Sequence, residues 1–119
     1  TEPPASWEGS LPEYIAYNTF ISFGLVPGED FDYQSPMMGG RATRGGLVLD
    51  FIFYNPPDLA VNVQGIYYHY EFGVEIRGRD IMARQAAVAS GLTLIFIDED
   101  DILTDAEYYC REASRLGGG

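Results

Sequence analysis

Apolar and polar positions alternate most clearly in two neighbouring stretches. Residues 47–54, LVLDFIFY, are dense in β-forming side chains around a single acid, Asp50. NPPD then breaks the run and turns the chain. LAVNVQG follows, with Leu59, Val61 and Val63 on one face and Ala60, Asn62 and Gln64 on the other. This pattern predicts a hairpin. Further on, the apolar content and length of LTLIFID predict a buried strand.

Helical signals flank these strands. In SLPEYIAYNTFISFG, Ser10 reads as an N-cap, Pro12 lies in the first turn, Glu13 follows the cap by three residues, and Gly24 is the stop. Leu11, Ile15, Thr19 and Phe23 recur every four residues, with Tyr14, Tyr17 and Ile21 widening the predicted apolar face. LVPGEDF reads as a turn, DYQSPMM as the start of a short strand stopped near Pro36, and GGRATRGG as a flexible or tightly turned loop. A helix is predicted over 74–90, closed by Gly91, and a last one within EDDILTDAEYYCREASRL, capped by Thr104 or Asp105. The order α-β-β-β-α-β-α makes this an α/β fold. The helix after the hairpin is a crossover of the kind that sets the next strand parallel.

The chain of 119 residues reads as one domain over 10–116, with an extended lead-in over 1–9 and a flexible tail over 117–119. It starts at Thr1 rather than methionine, as a fragment or a processed form would. No apolar run reaches membrane-spanning length and no signal-peptide pattern opens the chain, so no membrane partner is expected and a cytoplasmic location is. A single cysteine, Cys110, excludes an internal disulfide. Charge is the most unusual total: eighteen acids, seven arginines and no lysine give a formal net of -11. A field of that sign repels polyanions, so contact with nucleic acid requires the arginines to be concentrated in one place.

Four features could bear chemistry. Asp50 sits in an apolar strand, where a carboxylate must be paired, bind a metal or point to water. Strand alternation alone would also aim it at solvent. His69, the sole histidine, follows Gly65 and two tyrosines that can orient its ring. GGRATRGG offers Arg41 and Arg44 on a permissive backbone, while Arg77, Arg79 and Arg84 fall on the next predicted helix, a concentration suited to phosphate. DEDD, residues 98–101, follows a strand; acids there complement a helix start, and an oxygen-ligand site is the alternative. Glu13 is already explained by Ser10-x-x-Glu13, a capping box.

GGLVLDFIF, a break, LAVNVQGIYYH, a helix with RGRD and then GLTLIFIDEDD together resemble the PD-(D/E)XK nuclease superfamily. Within it they resemble the very-short-patch-repair endonuclease group and its phage-borne relatives. The resemblance covers residues 10 to about 112 and is most specific over 59–69. It implies a restriction-endonuclease-like three-layer sandwich and a DNA endonuclease dependent on Mg²⁺ or Mn²⁺. By position, Asp50 matches the metal-binding aspartate, Val63 the residue whose main-chain carbonyl is a metal ligand, His69 the catalytic histidine and Glu13 the acid of the first helix. Gln64 falls where that group carries another histidine. Arg41, Arg44, Arg77 and Arg79 would face DNA. The superfamily's Glu-x-Lys positions hold Asn62 and Gln64. Ile66 and Glu71 stand where zinc ligands would be expected, so the resemblance implies a zinc-free relative. The alternative is a catalytically degenerate nuclease-fold module, a structural or protein-binding part of a phage particle or larger assembly, with a virion-associated location.

Overall fold

The computed structural model describes residues 2–33, 43–44, 47–64 and 91–118, with side chains left out at 43–44, 47–48 and 116–118. The helix expected over 74–90, with Arg77, Arg79 and Arg84, lies outside the described residues, as do Arg41 and His69.

Helix α1 spans Leu11–Ser22. Its start is as the sequence predicts: Ser10 Oγ accepts from the Glu13 N–H (3.2 Å) and the Ser10 N–H donates to Glu13 Oε1 (2.9 Å), so two otherwise orphaned donors are satisfied reciprocally. Phe23 is the C-cap, and Gly24 adopts φ +90, a left-handed conformation that ends the helix. The buried face differs from the expected one. Pro12, Glu13, Ala16 and Phe20 face inward, while Leu11 and Ile21 are exposed. Apolar residues occur around much of this helix, so a repeat of four does not select a face.

Strand β1 (Phe31–Tyr33) follows, then β2 (Thr43–Arg44), β3 (Leu47–Val48), β4 (Phe51–Phe53), β5 (Leu59–Gln64) and β6 (Thr93–Asp98). Strands β1, β4, β5 and β6 form a four-stranded mixed sheet in that order, and β2 and β3 pair separately. The expected hairpin is the antiparallel pair β4–β5, with Phe51 opposite Val61 and Phe53 opposite Leu59. β5 and β6 run parallel, from Leu59 opposite Thr93 to Gln64 opposite Asp98. The single strand predicted over 47–54 is divided: Leu47–Val48 pairs with Thr43–Arg44, a bend falls at Asp50, and only Phe51–Phe53 joins the main sheet.

Helix α2 (Glu99–Gly118) starts directly after β6, earlier than the predicted cap. Asp105 interrupts it with non-helical φ -155, ψ 72, and its Oδ1 accepts from the Tyr108 N–H (3.2 Å). Asp105 therefore caps the second segment of a kinked helix.

Alternation along β5 sorts the core as its sequence predicts. Leu59 and Val61 join Phe31, Phe51, Phe53 and Ile97 under α1 and α2, while Ala60 packs with Leu49, Leu92 and Leu94 on the other face. Phe20 meets Phe31, Phe51 and Phe53 edge-on, at centroid distances of 5.7, 5.4 and 4.9 Å. At the side of the sheet, Trp7 stacks on Tyr33 at 4.7 Å and meets Tyr14 edge-on at 5.1 Å, tying the lead-in to α1 and β1.

Candidate functional site

Strand direction brings the chemistry-bearing residues to one end of the sheet. β4 starts where β5 and β6 finish, and α2 begins there too, so Asp50, Val63, Gln64 and residues 98–101 share that end. Ligands of open α/β sheets bind outside the carboxyl ends of the strands, which for β5 and β6 is this end.

Asp50 is only 4% exposed. Extending the Phe51–Val61 register would put Leu49 opposite Val63 and give Val63 a ladder bond. The bend removes that partner. Instead the Val63 N–H donates to Asp50 Oδ2 (2.9 Å), and the Asp50 N–H donates to Asn62 Oδ1 (2.8 Å). The Asp50 carboxylate thus replaces the backbone ladder bond of Val63 through a charge-assisted bond, and the Asn62 amide oxygen satisfies the Asp50 N–H at the bend. In an extended strand the N–H and C=O of one residue point to the same edge, so the Val63 carbonyl also faces the β4 side.

Glu13 is 8% exposed and engaged in the capping box. It stands near Glu99 at the start of α2. Partial burial pushes the Glu99 carboxyl above the usual range, and the negative charges of Glu13 and Asp100 push it the same way. Glu99, Asp100 and Asp101 form the first turn of α2, where acids complement the helix dipole. Gln64 is half-buried opposite Asp98. Among the described residues, no three His, Cys, Asp or Glu side chains are grouped as they would be to hold a metal ion.

The structure therefore brings Asp50 and Val63 into direct contact and leaves Gln64 one residue beyond. The backbone of Arg44 lies in β2. Two contacts escape the sequence reading, although both residues figure in it: the bond from the Asp50 N–H to Asn62, and the proximity of Glu99, within DEDD, to Glu13. The first had a signal in the hairpin register. The second depends on α1 packing against α2, which neither helix sequence specifies. No helix among the described residues is long and apolar enough to cross a membrane.

No protein-family model matches the chain, and no curated protein or solved structure matches it.

Proposed function

We propose that the protein is a metal-dependent DNA endonuclease that hydrolyses phosphodiesters by nicking or structure-directed cleavage. The supporting observation is Asp50, a nearly buried carboxylate held against Val63 at the sheet end where β5, β6 and the acidic start of α2 meet. The restriction-endonuclease-like sandwich belongs to the same reading: α1 and α2 form one layer, and the helix predicted over 74–90 would form the opposite one.

The donor chemistry fits Mg²⁺ or Mn²⁺, hard cations bound through one or two carboxylates with water and phosphate completing the shell. Asp50 and the Val63 carbonyl would hold the ion. The Val63 N–H occupies one of about four acceptor positions that a carboxylate offers, so that bond does not preclude a cation. When bound, the ion supplies Lewis-acid stabilisation of phosphoryl charge and lowers the pKa of water. His69 would take a proton from the attacking water or give one to the leaving oxygen. Glu13 would orient water while remaining in its capping box. Gln64, an amide, can hold a hydrogen bond but not a proton at neutral pH. Arg41, Arg44, Arg77 and Arg79 would clamp the DNA backbone. The cytoplasm, or a virion, is the proposed location.

Supercoiled plasmid incubated with Mg²⁺ or Mn²⁺ tests this reading. The parent should relax or linearise it, and Asp50→Asn, which keeps an acceptor for Val63, should not. Absence of cleavage by the parent, or equal cleavage by the variant, sinks the reading. A second reading, a catalytically silent nuclease-fold module in a protein assembly, is favoured by local bonding: Asp50, Asn62 and Glu13 all have structural partners.

A further inference from the structure

At the opposite end of the sheet, where α1 ends and β4 turns toward β5, a groove of about 410 Å³ opens beside the second segment of α2. Its floor is apolar, formed by Phe23, Leu25 and Pro56, and its wall carries Arg111, Ser114 and Arg115. Two of the seven cations of a chain with net charge -11 thus line one small concavity. They stand one helical turn apart.

Both guanidiniums already have partners. Arg111 lies over the Phe23 ring, 4.6 Å from its centroid, and gives one N–H to Glu107. Arg115 gives Nε and Nη2 to Glu112. A guanidinium has five N–H donors, so these bonds leave others directed elsewhere. The two side chains remain 59% and 67% exposed, and surface ion pairs of this kind are weak enough to be exchanged for a ligand.

We infer that this groove binds a small organic monocarboxylate with a flat apolar body. The body would lie on Phe23, Leu25 and Pro56, and the carboxylate would reach the two arginines; the Ser114 hydroxyl beside them already donates to the Arg111 carbonyl (3.0 Å). The charge of the protein selects the headgroup. A field from eleven net negative charges acts in proportion to ligand charge, and a phosphate monoester carries about -1.5 to -2 at neutral pH. A monocarboxylate meets the same guanidinium geometry with less repulsion. The volume lies at the lower end of small-molecule sites, consistent with an aromatic acid rather than a large cofactor.

Benzoate, benzamide, acetate and phenyl phosphate should be titrated separately into the ¹⁵N-labelled full chain, following backbone amides by NMR. Benzoate is expected to shift the Leu25 and Ser114 amides saturably, with a dissociation constant on the order of millimolar for so small a ligand. The other three should bind at least about threefold more weakly. Arg115→Gln should weaken benzoate about threefold, and Arg111→Gln likewise. Because Arg111 also packs on Phe23, the Arg115 variant gives an arm independent of that contact. Benzamide equal to benzoate, phenyl phosphate tighter than benzoate, an unchanged Arg115→Gln, or no saturable shift with benzoate would each overturn the inference.

Discussion

Asn62→Ala tests the bond at the bend in the sheet end. The substitution removes the Oδ1 acceptor 2.8 Å from the Asp50 N–H, at a partly buried position where the bend has already taken the backbone away from the ladder. A donor left unsatisfied in such a place costs about 1–3 kcal/mol. For 119 residues the unfolding entropy near 60 °C is about 250 cal/mol/K, so each 1 kcal/mol lowers Tm by about 4 °C. Thermal melting followed by circular dichroism should therefore show a fall of about 4–12 °C. Asn62→Asp keeps the acceptor but sets a second carboxylate near Asp50. The residue-62 side chain reaches the Asp50 N–H, so the two carboxylates would stand on the order of 5 Å apart, where like charges repel by about 3 kcal/mol at an effective dielectric of 20. The Asp variant should melt lower at pH 7 and recover toward the parent at acid pH as one carboxylate protonates. If the sheet end accepts a cation, Mg²⁺ should recover part of the loss at pH 7. An Asn62→Ala variant within 2 °C of the parent would refute the bonding argument, and an Asp variant with no pH dependence would refute the electrostatic one.

Phe20→Ala should cost about 3–5 kcal/mol, because Phe20 is fully buried among three aromatic rings; urea denaturation would show it as a lower midpoint at constant m, and a loss under 1 kcal/mol would contradict the packing. Burial pushes the Cys110 thiol up to about 12, so at pH 8 thiol reagents should label the folded chain only as fast as it opens, and rapid labelling of native protein would contradict that burial. The raised Glu99 carboxyl means that the folded state binds this proton more tightly than the unfolded one. Its favourable contribution is complete below the unfolded value of 4.5 and is lost as pH rises through the folded value. Glu99→Gln should thus stabilise the protein at pH 7 and have little effect well below pH 4.5; equal effects at both pH values would show that ionisation of the partly buried Glu99 is not the cause.

The strands were legible because their sequence period and their burial have the same origin. Alternation in LAVNVQG separates Leu59 and Val61 from Ala60 in the sequence, as the two core clusters do in the fold. Helix α1 was legible at its ends and not around its circumference. A capping box is local chemistry, whereas the choice of Ala16 and Phe20 as the inward residues depends on the aromatic rings across the sheet. The bend at Asp50 was hidden for a different reason. A turn formed by NPPD alone would pair Tyr54 with Leu59, yet the Tyr54 N–H goes to the Asp30 carbonyl at 2.8 Å and the pairing starts with Phe53 opposite Leu59. Continued past Phe51, the shifted register would bring Asp50 level with Asn62 rather than Val63, and the Asp50 N–H does bond Asn62 Oδ1. The presence of an acid in the strand was legible; what it holds required the register.

The structural bonds of Asp50 change what counts as support for chemistry. An acid in an apolar strand points toward function when nothing local explains it. Here the bend does explain it: Asp50 Oδ2 occupies the place of a backbone carbonyl for Val63, and Asn62 Oδ1 satisfies the Asp50 N–H. Asp50→Ala therefore removes a structural acceptor together with any metal ligand, and loss of cleavage in that variant would be ambiguous. Asp50→Asn separates the two roles, since an amide oxygen can still accept from Val63 while binding a divalent cation far more weakly than a carboxylate does. If cleavage disappears in the Asn variant while its melting temperature stays within a few degrees of the parent, the charge itself is required. If the parent never cleaves and the Asn variant melts close to it, Asp50 is a structural residue of a silent module, and the acidic sheet end serves the fold alone.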